Sequence, residues 1–248
     1  MSTRTNMTAD SLAAYDRWHK EMPVDEESDA PWHSLLKARL ENVCGKRVLE
    51  IGCGRGGFAA WLGTAPAPQR PAEIFACDFS PVAVGIAREF GQSRGASGIS
   101  YRVEDITNIS FQNDSFDVVI SCETIEHVPD PRKAVSELAR IMRPGGTMYL
   151  TCPNYLNLTG LYRLYLPLTG RRYKECGQPI NNFLVLPRVR RWIRREGLEV
   201  LNTSGSGHYV PFPRRSPIRL YSVDDLSFMN PWHALHTLTI ARKPAGVV

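Results

Sequence analysis

The sequence lacks several features that would fix its class at once. No apolar run approaches the roughly 18–20 residues needed to span a bilayer, so a membrane-spanning protein is not expected. The opening stretch MSTRTNMTADSLAAYDRWHKEM holds no apolar h-region, so no secretory leader is expected either. No Cys-x-x-Cys pair occurs among the six cysteines, Cys44, Cys53, Cys77, Cys122, Cys152 and Cys176. A chain of 248 residues needs no covalent staples, so they read as reduced thiols of a cytoplasmic protein. There is no internal repeat and no low-complexity tract. Acids are almost missing from residues 171–195. Arg171, Arg172, Lys174, Arg188, Arg190, Arg191, Arg194 and Arg195 stand there against Glu175 alone. That run reads as a solvated face, or as a site for phosphate or anionic lipid. Nucleic acid is disfavoured, because only Trp192 interrupts the arginines of 188–195 and the net charge is a modest +5.

What is present is ordinary globular composition, 43% apolar and 22% charged, at a length suited to one large domain over 1–248. From residue 47 the chain alternates short apolar runs with helical patterns. Strands are expected over Arg47–Ile51, Ile74–Cys77, Ile99–Val103, Phe116–Ser121 and Thr147–Thr151. Ser80-Pro81 and Asp130-Pro131 each read as an N-cap followed by proline at the first helical position, opening helices to about Phe90 and Met142. Arg143-Pro144-Gly145-Gly146 reads as the turn into the next strand. This alternation predicts an α/β doubly wound, mostly parallel sheet. Around a core at 45–152, residues 8–41 form a helical cap, with Leu12, Tyr15, Trp18 and His19 on one stripe. Residues 153–186 are an insertion. Residues 187–248 bring a helix over Pro187–Glu196, two last strands (Leu198–Leu201 and His236–Ala241) and a long loop over 202–235.

Two acids and a glycine loop carry the chemistry. In VLEIGCGRGGF, a strand runs into Gly52, Gly54, Gly56 and Gly57 and then a helix. Glycines let the backbone approach a ligand that faces the helix N-terminus. The spacing satisfies both G-x-G-x-G and G-x-G-x-x-G, so alone it does not separate a nicotinamide site from another nucleoside site. Asp78, ending the second strand, is placed to accept from ribose hydroxyls, and Asp105 after the third from an adenine amino group, with Ile106 against the ring.

The order VLEIGCGRGG, ACDFSP, EDITNISF, FDVVISCETIEHVPDP, RIMRPGGTMYL resembles the class I S-adenosylmethionine-dependent methyltransferases over about residues 45–152. The resemblance implies a Rossmann-like sheet of seven strands with the last antiparallel. It implies S-adenosylmethionine at Glu50, Gly52, Cys53, Gly54 and Gly56 for the methionine end, at Asp78 with Phe79 for the ribose, and at Asp105 and Ile106 for the adenine. Ser121 and Cys122 would line the donor methyl. A nicotinamide oxidoreductase shares the glycine loop and Asp78 but leaves the E-H-V-P-D-P run and the R-P-G-G turn unexplained. A non-catalytic S-adenosylmethionine-binding regulator is the other alternative.

The segment SCETIEHVPDP should border the reacting centre, because ligands sit beyond the strand carboxyl ends. Were residues 123–127 a helical turn, Glu123, Glu126 and His127 would share a face. They could then hold Mg²⁺. The spacing resembles that of the ubiquinone-biosynthesis O-methyltransferases and the plant small-RNA 2′-O-methyltransferases, in which these residue types are assigned to a divalent metal. His127 alone could instead be the general base, or the acids could simply order the loop. His208 reads as a surface histidine or a further ligand; His19, His33, His233 and His236 carry no signal. The four cysteines at strand ends, Cys53, Cys77, Cys122 and Cys152, read as small crevice-lining residues rather than a zinc site. Tyr155, Leu158, Leu161, Tyr162 and Tyr165 beside Arg163 suggest a lid helix, an apolar channel or a peripheral membrane contact through 155–172. The expected activity is O-methylation of a small or lipid-like metabolite, with N- and C-methylation open.

Overall fold

The computed structural model of the chain describes residues 8–21, 28–171, 177–212, 215–224 and 230–245. Two helices, α1 (Ala9–Glu21) and α2 (Pro31–Lys37), precede the sheet. Then follow β1 (Arg47–Ile51), α3 (Gly57–Gly63), β2 (Glu73–Asp78), α4 (Pro81–Ser93), β3 (Ile99–Val103) and β4 (Phe116–Cys122). The second half runs through α5 (Pro131–Ile141), β5 (Met142–Pro153), α6 (Leu158–Tyr165), α7 (Leu186–Arg195) and β6 (Glu199–Ser206). It ends with β7 (Tyr209–Phe212), β8 (Arg215–Arg219) and β9 (His236–Arg242).

Seven strands form one sheet in the order β3-β2-β1-β4-β5-β9-β6, parallel except for β9, which runs antiparallel to both β5 and β6. This is the doubly wound, Rossmann-like architecture that the alternation predicts. Strands built from consecutive apolar residues bury both faces. Leu49, Phe75, Val119 and Leu150 face α5 and α7, while Val48, Ile74, Val118 and Ile120 face Leu36 of α2 and Phe58 and Leu62 of α3. The two helix starts are capped as expected. Ser80 Oγ accepts from the Ala83 amide (3.1 Å), and Asp130 Oδ1 accepts from the Lys133 amide (3.0 Å). The chain order reverses between β1 and β4, so a crevice opens beyond their carboxyl ends.

Two expectations change. β5 starts at Met142, five residues early. Its pairing with β4 steps from Phe116–Met142 to Val118–Thr147, so Arg143–Gly146 swing out as an excursion inside the strand. The 202–235 stretch is not one loop: β6 continues to Ser206, and β7 and β8 form a separate hairpin whose register shifts around Pro211. Prolines there mimic loop composition while sitting at a strand irregularity. In α7, Leu186, Val189 and Ile193 are buried and Arg188, Arg191, Arg194 and Arg195 are exposed, so most of the basic run is a solvated helix face. Arg172, Lys174, Glu175 and Cys176 lie outside the described residues.

Candidate active site

The glycine loop turns directly off β1. Gly52 takes φ 77°, and a Cβ there would collide with the Thr124 side chain, so the loop and the SCETI segment meet at a position only glycine fits. A Cβ on Gly54 would meet nothing within 4 Å, so the backbone there borders open space. The Gly52 and Cys53 amides donate to the Cys77 carbonyl (2.8 and 2.9 Å), and the Gly54 amide donates to Asp78 Oδ2 (2.9 Å). Asp78 Oδ1 accepts from the Ser80 amide (2.9 Å). Asp78 therefore ties the loop to the end of β2, a scaffolding role the sequence does not announce.

These groups line a cleft of about 580 Å³ over the carboxyl ends of β1, β2 and β4. On its wall stand Glu50, Gly52, Cys53, Gly54 and Gly56 from the first strand and loop, and Asp78 and Phe79 from the second. Asp105 and Ile106 follow two residues beyond β3, and Cys122 closes β4. Ser121 differs from expectation. It is fully buried in β4 and not on the cleft wall, because strand alternation points it away from its neighbour Cys122. Asp105 Oδ1 is engaged with the Thr107 amide (2.8 Å) and hydroxyl (2.7 Å), which orders its own turn and leaves Oδ2 for a ligand. Glu50 is 2% exposed, and its Oε2 has no hydrogen-bond partner. Burial pushes its carboxyl up to about 8; the Ala59 amide opposes this and nearby Asp78 adds to it. A buried acceptor facing the cleft fits a ligand ammonium, which would supply the missing partner.

The E-T-I-E-H segment is not a helical turn throughout. Only Ile125–His127 wind, as a 3₁₀ turn, while Glu123 sits in the left-handed region at φ 45°. Glu123 thus leaves the face it was expected to share. Its Oε2 meets His236 Nδ1 at 3.0 Å, a residue with no signal in the sequence because it arrives from β9, 113 positions later. Glu126 Oε1 lies 3.5 Å from His127 Nε2. His127 Nδ1 lies 2.8 Å from the Ile180 carbonyl, and since a carbonyl only accepts, Nδ1 carries the proton and Nε2 the lone pair. Burial holds the His127 pKa below its usual value, against the opposing pull of the Ile180 bond and Glu123. Among the described residues no three histidine, cysteine or acidic side chains converge as a metal site. Glu123, Glu126 and His127 therefore do not fit the Mg²⁺ expectation, and neither do the cysteines fit zinc.

The cap roofs the cleft. Tyr15, Trp18 and His19 of α1 line it; Tyr15 Oη donates to the His127 carbonyl (2.9 Å) and Ser80 Oγ donates to Asp16 (2.5 Å). Tyr15, Trp18 and His19 of the stripe read from the sequence thus form the roof, while Leu12 is not on the cleft wall. From α2 come Trp32 and His33; His33 stacks on Phe58 at 5.6 Å, and burial lowers its pKa to about 4. His208 is buried, not superficial, and lies off the cleft wall.

Residues 49–150 match the family described as a methyltransferase domain. The chain is similar to a ubiquinone biosynthesis O-methyltransferase of Xanthomonas euvesicatoria pv. vesicatoria (strain 85-10). The two are 31% identical over 215 residues, covering 80% of this chain and 83% of the relative. Among solved structures it is similar to a chain in the complex with the Haloferax volcanii Trm112 methyltransferase activator (TM-score 0.64, 22% identity, 96% of this chain and 98% of that one). It is also similar to an S-adenosylmethionine-dependent methyltransferase from Mesorhizobium loti (TM-score 0.59, 18% identity, 86% and 98%). These two show the shared fold.

Proposed function

Since the chain belongs to the class I S-adenosylmethionine-dependent methyltransferases, we propose that it methylates a hydroxyl oxygen of a small or lipid-like acceptor. The observation that carries this reading is the His127 ring, on the cleft wall with its lone pair on Nε2. The O-methyltransferase name of the 31%-identical relative supports it.

When bound, S-adenosylmethionine supplies an electrophilic methyl carbon and leaves as S-adenosylhomocysteine. In this reading Glu50 accepts from the ammonium, and the loop at Gly52, Cys53, Gly54 and Gly56 cradles the methionine end. Asp78 takes the ribose hydroxyls beside Phe79, and Asp105 and Ile106 take the adenine. Cys122 borders the methyl. His127 Nε2 accepts the proton that the acceptor hydroxyl loses as its oxygen forms the new bond, and Glu126, 3.5 Å away, stabilises the imidazolium. The α1 roof excludes water and holds the His127 backbone through Tyr15. No step passes through a metal.

Methyl-labelled S-adenosylmethionine, incubated with metabolite extract, tests this. Label is expected in the organic fraction and unchanged by EDTA; label only on amines or macromolecules would overturn the reading. His127→Ala is expected to cut transfer roughly 10²-fold or more while leaving S-adenosylmethionine affinity in calorimetry unchanged. Because His127 must be neutral to accept a proton and burial lowers its pKa, wild-type turnover at saturating S-adenosylmethionine should stay level as pH falls through 6.5 and drop only in more acid solution.

The reading includes a peripheral membrane contact through 155–172. Leu161 and Leu168 are 65% and 83% exposed, forming with Leu158 and Leu164 one apolar stripe followed by exposed Arg171. The chain is expected to sediment with anionic vesicles, and Leu161→Asp to abolish this; wild-type sedimentation in that variant would remove the contact.

A further inference from the structure

We propose that Arg163, on the insertion helix α6, is a positioning residue for His127, acting through the 180–182 segment that clasps the His127 loop. The proposal adds a residue to the site and rests on the placement of His127, not on which atom is methylated.

The geometry forms a continuous chain of contacts. The Arg163 guanidinium packs over the Tyr155 ring (4.5 Å) and the Phe183 ring (5.5 Å). Those rings stack on each other at 5.1 Å and 29°. From that slot Arg163 donates to two successive carbonyls, Nη2 to Asn181 and Nη1 to Asn182. The planar fork of guanidinium donors suits paired acceptors, and aromatic stacking fixes its plane. The segment pinned in this way holds the catalytic loop at three points. The Ile180 carbonyl accepts from His127 Nδ1 (2.8 Å). Asn182 Nδ2 donates to the Glu126 carbonyl (2.9 Å) and the Val128 carbonyl (2.7 Å), and the Asn182 amide donates to the Glu126 carbonyl (2.8 Å). The loop itself has little regular structure: one 3₁₀ turn spans Ile125–His127. Its geometry is set from outside, by Tyr15 on one side and by 180–182 on the other. Residue 180 belongs to a stretch with no helix or strand of its own, so the cation on α6 supplies the rigidity that secondary structure does not.

The consequence for the imidazole is specific. The Ile180 carbonyl selects the tautomer with the proton on Nδ1 and the lone pair on Nε2. Loss of the Arg163 contacts frees that carbonyl to shift, and both the tautomer and the ring plane then lose their constraint. Displacements of about 1 Å at a reacting group lower turnover by up to roughly 10²-fold.

The test uses the full chain labelled with ¹⁵N-histidine, without acceptor. Long-range ¹H–¹⁵N spectra identify His127 by its loss in His127→Gln. The wild type is expected to show one tautomer protonated at Nδ1. Arg163→Met, which keeps the apolar stem and removes the fork, is expected to give a mixed or inverted tautomer with unchanged S-adenosylmethionine affinity. Transfer of label to the organic fraction should fall at least fivefold. Where the methionine variant fails to fold, Arg163→Lys is read instead, since an ammonium reaches only one carbonyl at a time. A displaced His127 signal there supports the relay. A wild-type His127 spectrum in the folded variant overturns it, whatever the fate of the hydroxyl-acceptor reading, because the spectrum requires no acceptor.

Discussion

Asp78→Ala is expected to weaken S-adenosylmethionine binding at least tenfold, about 1.4 kcal/mol or more, as read by calorimetry. Two losses combine. The proposed bonds from ribose hydroxyls to an ionised carboxylate are charge-assisted, each worth more than a neutral bond. The second loss is visible in the free protein: the Gly54 amide and the Ser80 amide both donate to this carboxylate at 2.9 Å. Removing it leaves two donors without their acceptor and releases the glycine loop that walls the cleft. Asp78→Asn separates the contributions. Its amide oxygen still accepts from one loop donor, so loop order and thermal stability should approach wild type while affinity stays reduced. Wild-type affinity in Asp78→Ala would remove Asp78 from the binding site.

Glu50→Gln should make the protein more stable in alkaline solution and worse at binding. The Glu50 carboxyl is raised from 4.5 to about 8, first by burial. The folded form therefore keeps its proton over a range where the unfolded chain has lost it. Stability from this group is fully present below about pH 4.5 and is lost as pH rises through about 8. Glutamine is neutral at every pH, so Glu50→Gln should match wild type near pH 5 and exceed it near pH 9 by on the order of 3–5 kcal/mol in denaturant unfolding. Equal pH dependence in the two proteins would contradict the buried, proton-holding state. Pairing with a ligand ammonium reverses the preference. Wild-type affinity for S-adenosylmethionine should rise with pH towards 8, with a proton released on binding, while Glu50→Gln binds weakly and without that dependence.

Much of this fold is legible because its strands are buried on both faces. Arg47–Ile51 falls where its apolar run places it, Ile99–Val103 is found as expected although it is a half-exposed edge strand, and the Ser-Pro and Asp-Pro starts cap their helices through side-chain bonds. Much of the cleft wall is legible too, since those residues follow strand ends in sequence. The acceptor side is not. Glu123 departs from its expected face because one backbone angle is positive, which E-T-I-E-H does not encode. Its neighbour His236 comes from β9, His127 is held by Ile180 and Tyr15, and its flanking carbonyls are held by Asn182, all remote in sequence. Ser121 and Cys122 are adjacent letters on opposite faces, so naming both as lining counts one too many. The β7–β8 hairpin hides behind prolines that sit at its irregular pairs.

The antiparallel strand described above has a bearing on synthesis. Among the described residues β6 pairs with β9 alone, and β9 is translated thirty residues after β6 ends. On the ribosome the first five strands, β1 to β5, can assemble in order, but β6 waits with both edges open until residues 236–242 emerge. The same delay applies to chemistry, because β9 brings His236 to Glu123. A nascent chain stopped before residue 236 would carry every proposed cofactor contact and still lack the strand that completes the sheet and the imidazole that holds Glu123.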